Sequence, residues 1–189
     1  MTLISIVYWT ALSAWFGGTL FVMLAAGIVH RVVREADPTL PLVLSVNLDR
    51  QHSSLLSANI VSQLLSALWR VSLVCMVALV AAQAGEWAIV ARGDRDFVLP
   101  LVRSVLLVLA AALTAYDARG VRPKAEAARA DYVENADDPD LANPAIERFD
   151  ELQRESLLLL QTTLFTLLGL VLFSAIGLGV VGGKTFDFS

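Results

Sequence analysis

Four stretches of this chain are too apolar and too long for the core helices of a water-soluble domain. Residues 3–29 contain no charged side chain, and neither do residues 156–183. Residues 53–85 carry only Arg70, and residues 97–116 only Arg103. About 20 apolar residues cross a ~30 Å hydrocarbon core as an α-helix. Inside that core only helices and closed barrels satisfy their own backbone. The runs are continuous rather than alternating, so the predicted fold is all-α: an integral membrane bundle of four transmembrane helices. The expected spans are 3–29, 57–84, 97–117 and 156–182, in a single membrane domain with loops over 30–56 and 118–155. The second loop holds most of the polar sequence and is expected to be a cytoplasmic helical loop between helices three and four.

Orientation follows from the basic residues. The chain starts without Lys or Arg, so residues 3–29 read as a retained helix rather than a cleaved signal. Arg31, Arg34, Arg50, Arg119, Arg122, Lys124, Arg129, Arg148 and Arg154 fall on the side reached after the first helix. Arg92, Arg95 and Lys184 fall on the other, joined by Arg103 if it snorkels there. The excess places both loops in the cytoplasm and both termini outside. The absence of an N-glycosylation sequon points the same way, to a bacterial or inward-facing protein, and the bacterial inner membrane is the expected location.

Within the first helix, Ser13 with Gly17 and Ala14 with Gly18 repeat small residues four apart, the pattern of a close helix–helix contact. Pro38 and Pro41 break the first loop. Residues 85–96 read as a short polar turn edged by Trp87. Pro100 sits harmlessly in the first turn of the third helix. Pro123 opens a short helical stretch over 124–133. Asp137, Asp138, Pro139 and Asp140 suggest a turn, and Asn143 with Pro144 an N-cap and first-turn pair. Ile146, Phe149 and Leu152 then form an apolar stripe leading into the last span.

The second span carries the most informative pattern. His52, Asn59, Gln63, Ser66 and Arg70 are spaced seven, four, three and four apart, so one helix face holds all five. A polar stripe ending in a charge faces protein, water or a partner rather than lipid. Gln161 of the last helix is a candidate companion. If the helix is straight, His52 to about Ser57 would occupy the headgroup zone or lie beyond it, with Arg70 deeper. Arg70 then reads either as a structural anchor, held by Gln63, Gln161 or backbone carbonyls or snorkelling to the interface, or as a site for an anion, a proton or a lipid headgroup.

Other patterns carry less. Gly177, Gly179 and Gly182 match a dinucleotide fingerprint but lack its strand and its acidic residue, and read as helix termination. His30 and His52 are the only histidines and Cys75 the only cysteine, too few for a metal or haem cluster within one chain. Met23, Cys75 and Met76 are scattered. Asp137, Asp138 and Asp140 lack the spacing of a calcium loop. With a net charge of −4 and no basic patch, nucleic-acid binding is excluded. No hydrolase triad, zinc-protease motif or phosphate loop occurs, so the chain is read as non-enzymatic. No cofactor is predicted, with contact to haem or another pigment left open.

Trp15-x-Gly17 in the first helix, Gly120-Val-Arg-Pro123 opening the polar helix, and Phe149-x-x-Leu152-Gln153-x-x-Ser156 leading into the last span carry a family pattern. The chain resembles the small four-helix membrane family that includes transmembrane protein 205 and bacterial relatives. The resemblance implies four spans and, for some members, transport or metal and drug tolerance. Members often carry His where this chain has Gln153, so it implies no histidine-dependent role here. The function expected from the residues is an accessory or assembly subunit of a larger membrane complex, for example a respiratory or photosynthetic one. Its partners would be the bilayer and other membrane subunits or further copies of itself. The alternative is a small-solute or metal-ion channel or transporter lined by the stripe from His52 to Arg70, with Gln161, Thr162 and Thr166.

Overall fold

Each apolar run becomes the middle of a helix that outlasts it. In the computed structural model, which describes residues 3–36, 51–91, 97–135 and 138–181, every long element is α-helical. Helix α1 runs Leu3–Ala36, α2 Gln51–Val90 and α3 Val98–Tyr116. A π-helical turn, Asp117–Val121, joins α3 to α4, Arg122–Glu134, and α5 runs Pro139–Val181. Four of these helices are long and apolar enough to cross a membrane. The protein is an all-α integral membrane bundle, as its sequence predicts.

Packing sorts each helix by its 3.6-residue period. Helix α1 lies along α2, α3 along α5, and α5 also contacts α1. Leu12 and Trp15 of α1, Leu79 of α2, Ala110 of α3, and Leu167 and Leu170 of α5 meet at mid-height with no accessible surface. A second cluster, Val22, Leu65, Leu68 and Leu160, continues the core. Farther along, Phe149 of α5 inserts between Ala58 of α2 and Ala128 of α4, while Tyr132 packs on Ala142. The apolar stripe through Ile146, Phe149 and Leu152 therefore docks on its own chain.

Two connections differ from expectation. Helix α4 continues α3 through the π turn, without a loop between them. Helix α5 begins at Pro139, one turn before the expected Asn143–Pro144 start. Asp138 Oδ1 accepts the Asp140 N–H at 3.1 Å, and its carbonyl accepts from Leu141 and Ala142. Asp138 followed by Pro139 thus supplies the same cap-and-proline chemistry, and Pro144 lies inside the helix.

The outward faces fix the membrane level. On α3, Val98, Leu101, Val105 and Val108 are exposed, and beyond Tyr116 the chain turns charged at Asp117, Arg119, Arg122 and Lys124. On α5, exposed apolar residues run from Leu157 to Ile176, just after Arg154 and Glu155. Residues 97–116 and 157–176 each measure about 30 Å at ~1.5 Å per residue, the thickness of one hydrocarbon core. Hydropathy alone extends the windows further, to Leu56–Ala88 on α2 and Val98–Glu134 through α4; the charges after Tyr116 set the tighter limit. Helix α2 is registered against α3 at both ends. Gln83, Glu86 and Trp87 bond to Pro100, Arg103 and Ser104, while Trp69 and Ser72 line one small cavity with Thr114 and Asp117.

The slab's edge therefore crosses α2 near Arg70, where exposed Val71, Val74 and Val77 begin. We call this edge the loop side and the opposite one, where α1 begins and α5 ends, the terminal side. On the loop side α2, α4 and α5 project about 25–30 Å beyond the slab as a helical prop.

Candidate functional site

The polar stripe is real, and it faces outward. Asn59, Gln63, Ser66 and Arg70 line one open groove on the loop side, with Ser62 and Ala67 between them and Glu126 and Arg129 opposite on α4. Its volume is about 410 Å³. Packing of Ala128 against Ala58 and Phe149 brings α4 alongside α2 and so forms the far wall. Arg129 Nη1 donates to Asn59 Oδ1 at 3.0 Å. Arg70 is exposed and, among the described residues, forms no hydrogen bond or ion pair. Among the described residues, Glu126 is the groove's only acid.

His52 belongs to α2, but its side chain lies outside the described residues. Gln161 is not part of the groove. It is exposed on α5, as is Thr162, and the hydroxyls of Thr162 and Thr166 bond back to the carbonyls of Leu158 and Thr162. Ser62, Glu126 and Arg129 were not anticipated. Ser62 sits three residues after Asn59 and four before Ser66, so its place on the stripe is legible in the spacing. The α4 charges were not, because nothing local says that α3 carries straight on and returns α4 to α2.

The small-residue pattern of α1 divides between two faces. Gly18 faces α2, and a Cβ there would meet Leu68 Cδ1 at 3.1 Å. Ser13, Ala14 and Gly17 are exposed, and a Cβ at Gly17 would meet nothing within 4 Å. The contact face within the chain uses Ala11, Leu12, Trp15 and Thr19 instead. Ser13, Ala14 and Gly17 leave a shallow outward channel within the membrane.

Two polar clusters pin the bundle at its rims. On the terminal side, Arg103 does not snorkel outward. It is 7% exposed. Its Nη1 donates to Glu86 Oε1 at 2.7 Å and its Nη2 to the Ser174 carbonyl at 3.3 Å. Glu86 is available because α2 continues to Val90 instead of ending at Ala84. Tyr8 and Ser174 hydroxyls share a 2.6 Å hydrogen bond beside this pair. On the loop side, Asp117 is buried in the π turn. Its Oδ1 accepts from Ser156 Oγ at 2.5 Å, and its Oδ2 from Arg122 Nε and Nη2 at 2.8 and 2.6 Å. The wider π turn suits this contact, because it stacks residues five apart. The terminal-side cluster ties α5 to α3 and α1, and the loop-side cluster ties it to the π turn. Nearby, burial raises the Tyr132 phenol above its ordinary value.

Among the described residues, no three His, Cys, Asp or Glu side chains converge as a metal-binding group. Gly177 and Gly179 lie in the last turns of α5, and Gly182 lies outside the described residues. Comparison with known proteins returns no matching family model, no matching curated protein and no matching solved structure. What the fold and site define is a class: an integral membrane four-helix bundle with a polar groove on its outer rim.

Proposed function

We propose that the protein is a non-catalytic accessory or assembly subunit of a larger membrane complex, seated in a bacterial inner membrane with its loop side in the cytoplasm. The observation that carries this reading is the outward channel at Ser13, Ala14 and Gly17. Small residues spaced by four let another helix approach closely, and in lipid such packing drives association where no hydrophobic force acts between helices. This chain makes its own α1–α2 contact through Gly18 and leaves the other three unused. The basic residues flanking the loop side support the orientation. A conduit reading draws no comparable support. The polar groove lies on the rim, and the level of Leu12, Trp15, Leu79, Leu167 and Leu170 is closed by fully buried side chains.

Substitution of Gly17 tests this reading. Gly17→Leu meets open space within the chain, so the variant keeps the wild-type thermal stability. It fills the channel, so a partner subunit or second copy that co-purifies with wild type from native membranes in mild detergent is lost. A wild-type protein that purifies as a single colourless chain, or a partner that stays bound to the variant, contradicts the proposal.

A further inference from the structure

The rim groove has an unsatisfied charge, a defined depth and an apolar surface continuing from it. Arg70 stands at the level where the slab's hydrocarbon gives way to headgroups, and its side chain leans toward the helix N-terminus, which is the headgroup side. A guanidinium offers five N–H donors in a planar fork that matches a phosphate. Arg70 spends none of them on the described protein. Arg129 stands across the groove with one donor on a neutral amide. With Glu126 as the only acid among the described residues, these lining residues carry a net positive charge. Ser62, Gln63 and Ser66 add neutral hydrogen-bonding groups between the two arginines. At about 30 Å³ per water, the ~410 Å³ groove holds the volume of roughly a dozen waters. That is room for a phosphate with its polar substituent and too little for a folded segment.

The face below the groove distinguishes a lipid from a soluble anion. One and two turns past Arg70, on the same side of α2, Val74 and Val77 are each 71% exposed. A molecule whose phosphate sits on Arg70, with its polar substituent pointing toward Arg129, can lay an acyl chain down this ladder without turning. We propose that the groove is a binding site for one anionic glycerophospholipid. Arg70 holds its phosphate, Ser62, Gln63, Ser66 and Arg129 meet its headgroup hydroxyls, and Val74 and Val77 carry an acyl chain. The site is separate from the α1 channel, so it stands or falls independently of the accessory-subunit reading.

The test is native mass spectrometry of the purified full chain in mild detergent, with dioleoyl phosphatidylglycerol and dioleoyl phosphatidylcholine added in equal amounts. Wild type retains one phosphatidylglycerol in preference to phosphatidylcholine. Charge-assisted hydrogen bonds are the stronger kind, so Arg70→Gln and Arg129→Gln each lower that retention about tenfold or more. Neither changes the weak retention of phosphatidylcholine. Arg70→Lys recovers part of the preference, and Glu126→Gln raises it. Circular dichroism confirms that the variants remain folded; Arg70, which bonds to none of the described residues, is the safer of the two arginine changes. Soluble glycerol phosphate at millimolar concentration does not displace the lipid. Three results overturn the proposal: equal retention of the two lipids, undiminished phosphatidylglycerol on an Arg70→Gln/Arg129→Gln variant, or displacement by glycerol phosphate. Finding the groove filled by an acidic segment of a protein partner overturns it as well.

Discussion

Replacing Glu86 by alanine should destabilise the bundle through Arg103 rather than through any loss of packing. Glu86 lies near the end of α2, and its side chain is 22% exposed, whereas that of Arg103 is 9% exposed. Among the described residues, the 2.7 Å pair between them is Arg103's only ionic contact, and Arg103 Nε has no partner. Removing one member of a buried pair costs about 3–5 kcal/mol, because the other is left charged and uncompensated. Glu86 is partly open to solvent, and the Ser174 carbonyl still accepts from Arg103, so the cost falls at or below the lower end of that range. We expect about 2–3 kcal/mol for Glu86→Ala. At roughly 2–4 °C per kcal/mol for a chain of this size, the melting temperature falls by about 5–10 °C.

The double variant Glu86→Ala/Arg103→Met removes both charges and keeps an unbranched apolar side chain. Replacing a buried pair by apolar groups is often neutral. The double variant should therefore melt within about 1 kcal/mol of wild type, well above the sum of the single effects. Thermal unfolding followed by circular dichroism in detergent measures wild type, Glu86→Ala, Arg103→Met and the double variant. A Glu86→Ala protein that melts with wild type, or a double variant that shows the full sum, would refute this account of the terminal-side rim.

Two further outcomes follow from the core. Gly18→Leu must push its side chain into Leu68, only 3.1 Å from the position of a first carbon, and should cost about 1–3 kcal/mol by overpacking, against no loss for Gly17→Leu in the same melting assay. Trp15 Nε1 and Ser72 Oγ are buried without partners and line a cavity of about 10 Å³, close to the room one water needs; Trp15→Phe should therefore stay within about 1 kcal/mol of wild type, whereas Trp15→Ala should lose about 3–5 kcal/mol.

The four spans are legible because an uncharged run of this length has few folded alternatives to a membrane helix. The membrane level is not legible on α2, because its apolar stretch is longer than the bilayer needs and slides freely against it. Only the short window between Phe97 and Asp117, bonded across to α2, fixes that level. Periodicity correctly gathered Asn59, Gln63, Ser66 and Arg70 onto one face. It could not say whether that face points inward, because its direction depends on where α1, α4 and α5 stand.

The same limit explains α1, where Ser13, Ala14, Gly17 and Gly18 share a pattern but only Gly18 meets α2. Glu86 and Arg103, seventeen residues apart, escape a reading that ends α2 at Ala84. Asp138–Pro139 and Asn143–Pro144 carry the same capping signal, and the turn chosen is the one that brings Ala142 onto Tyr132.

The placement of the bilayer edge at Arg70 underlies both the groove's depth and its ligand, and one accessibility scan tests it. Single cysteines are placed at Gln63, Ala67, Val74 and Val77, all exposed residues of α2, in a Cys75→Ala background. Each protein is reconstituted in lipid vesicles opened to both sides and treated with a membrane-impermeant maleimide. Positions 63 and 67 should label rapidly and positions 74 and 77 should be protected, with the change falling at Arg70. Protection already at position 63, or rapid labelling at position 77, would contradict this placement and the headgroup site built on it.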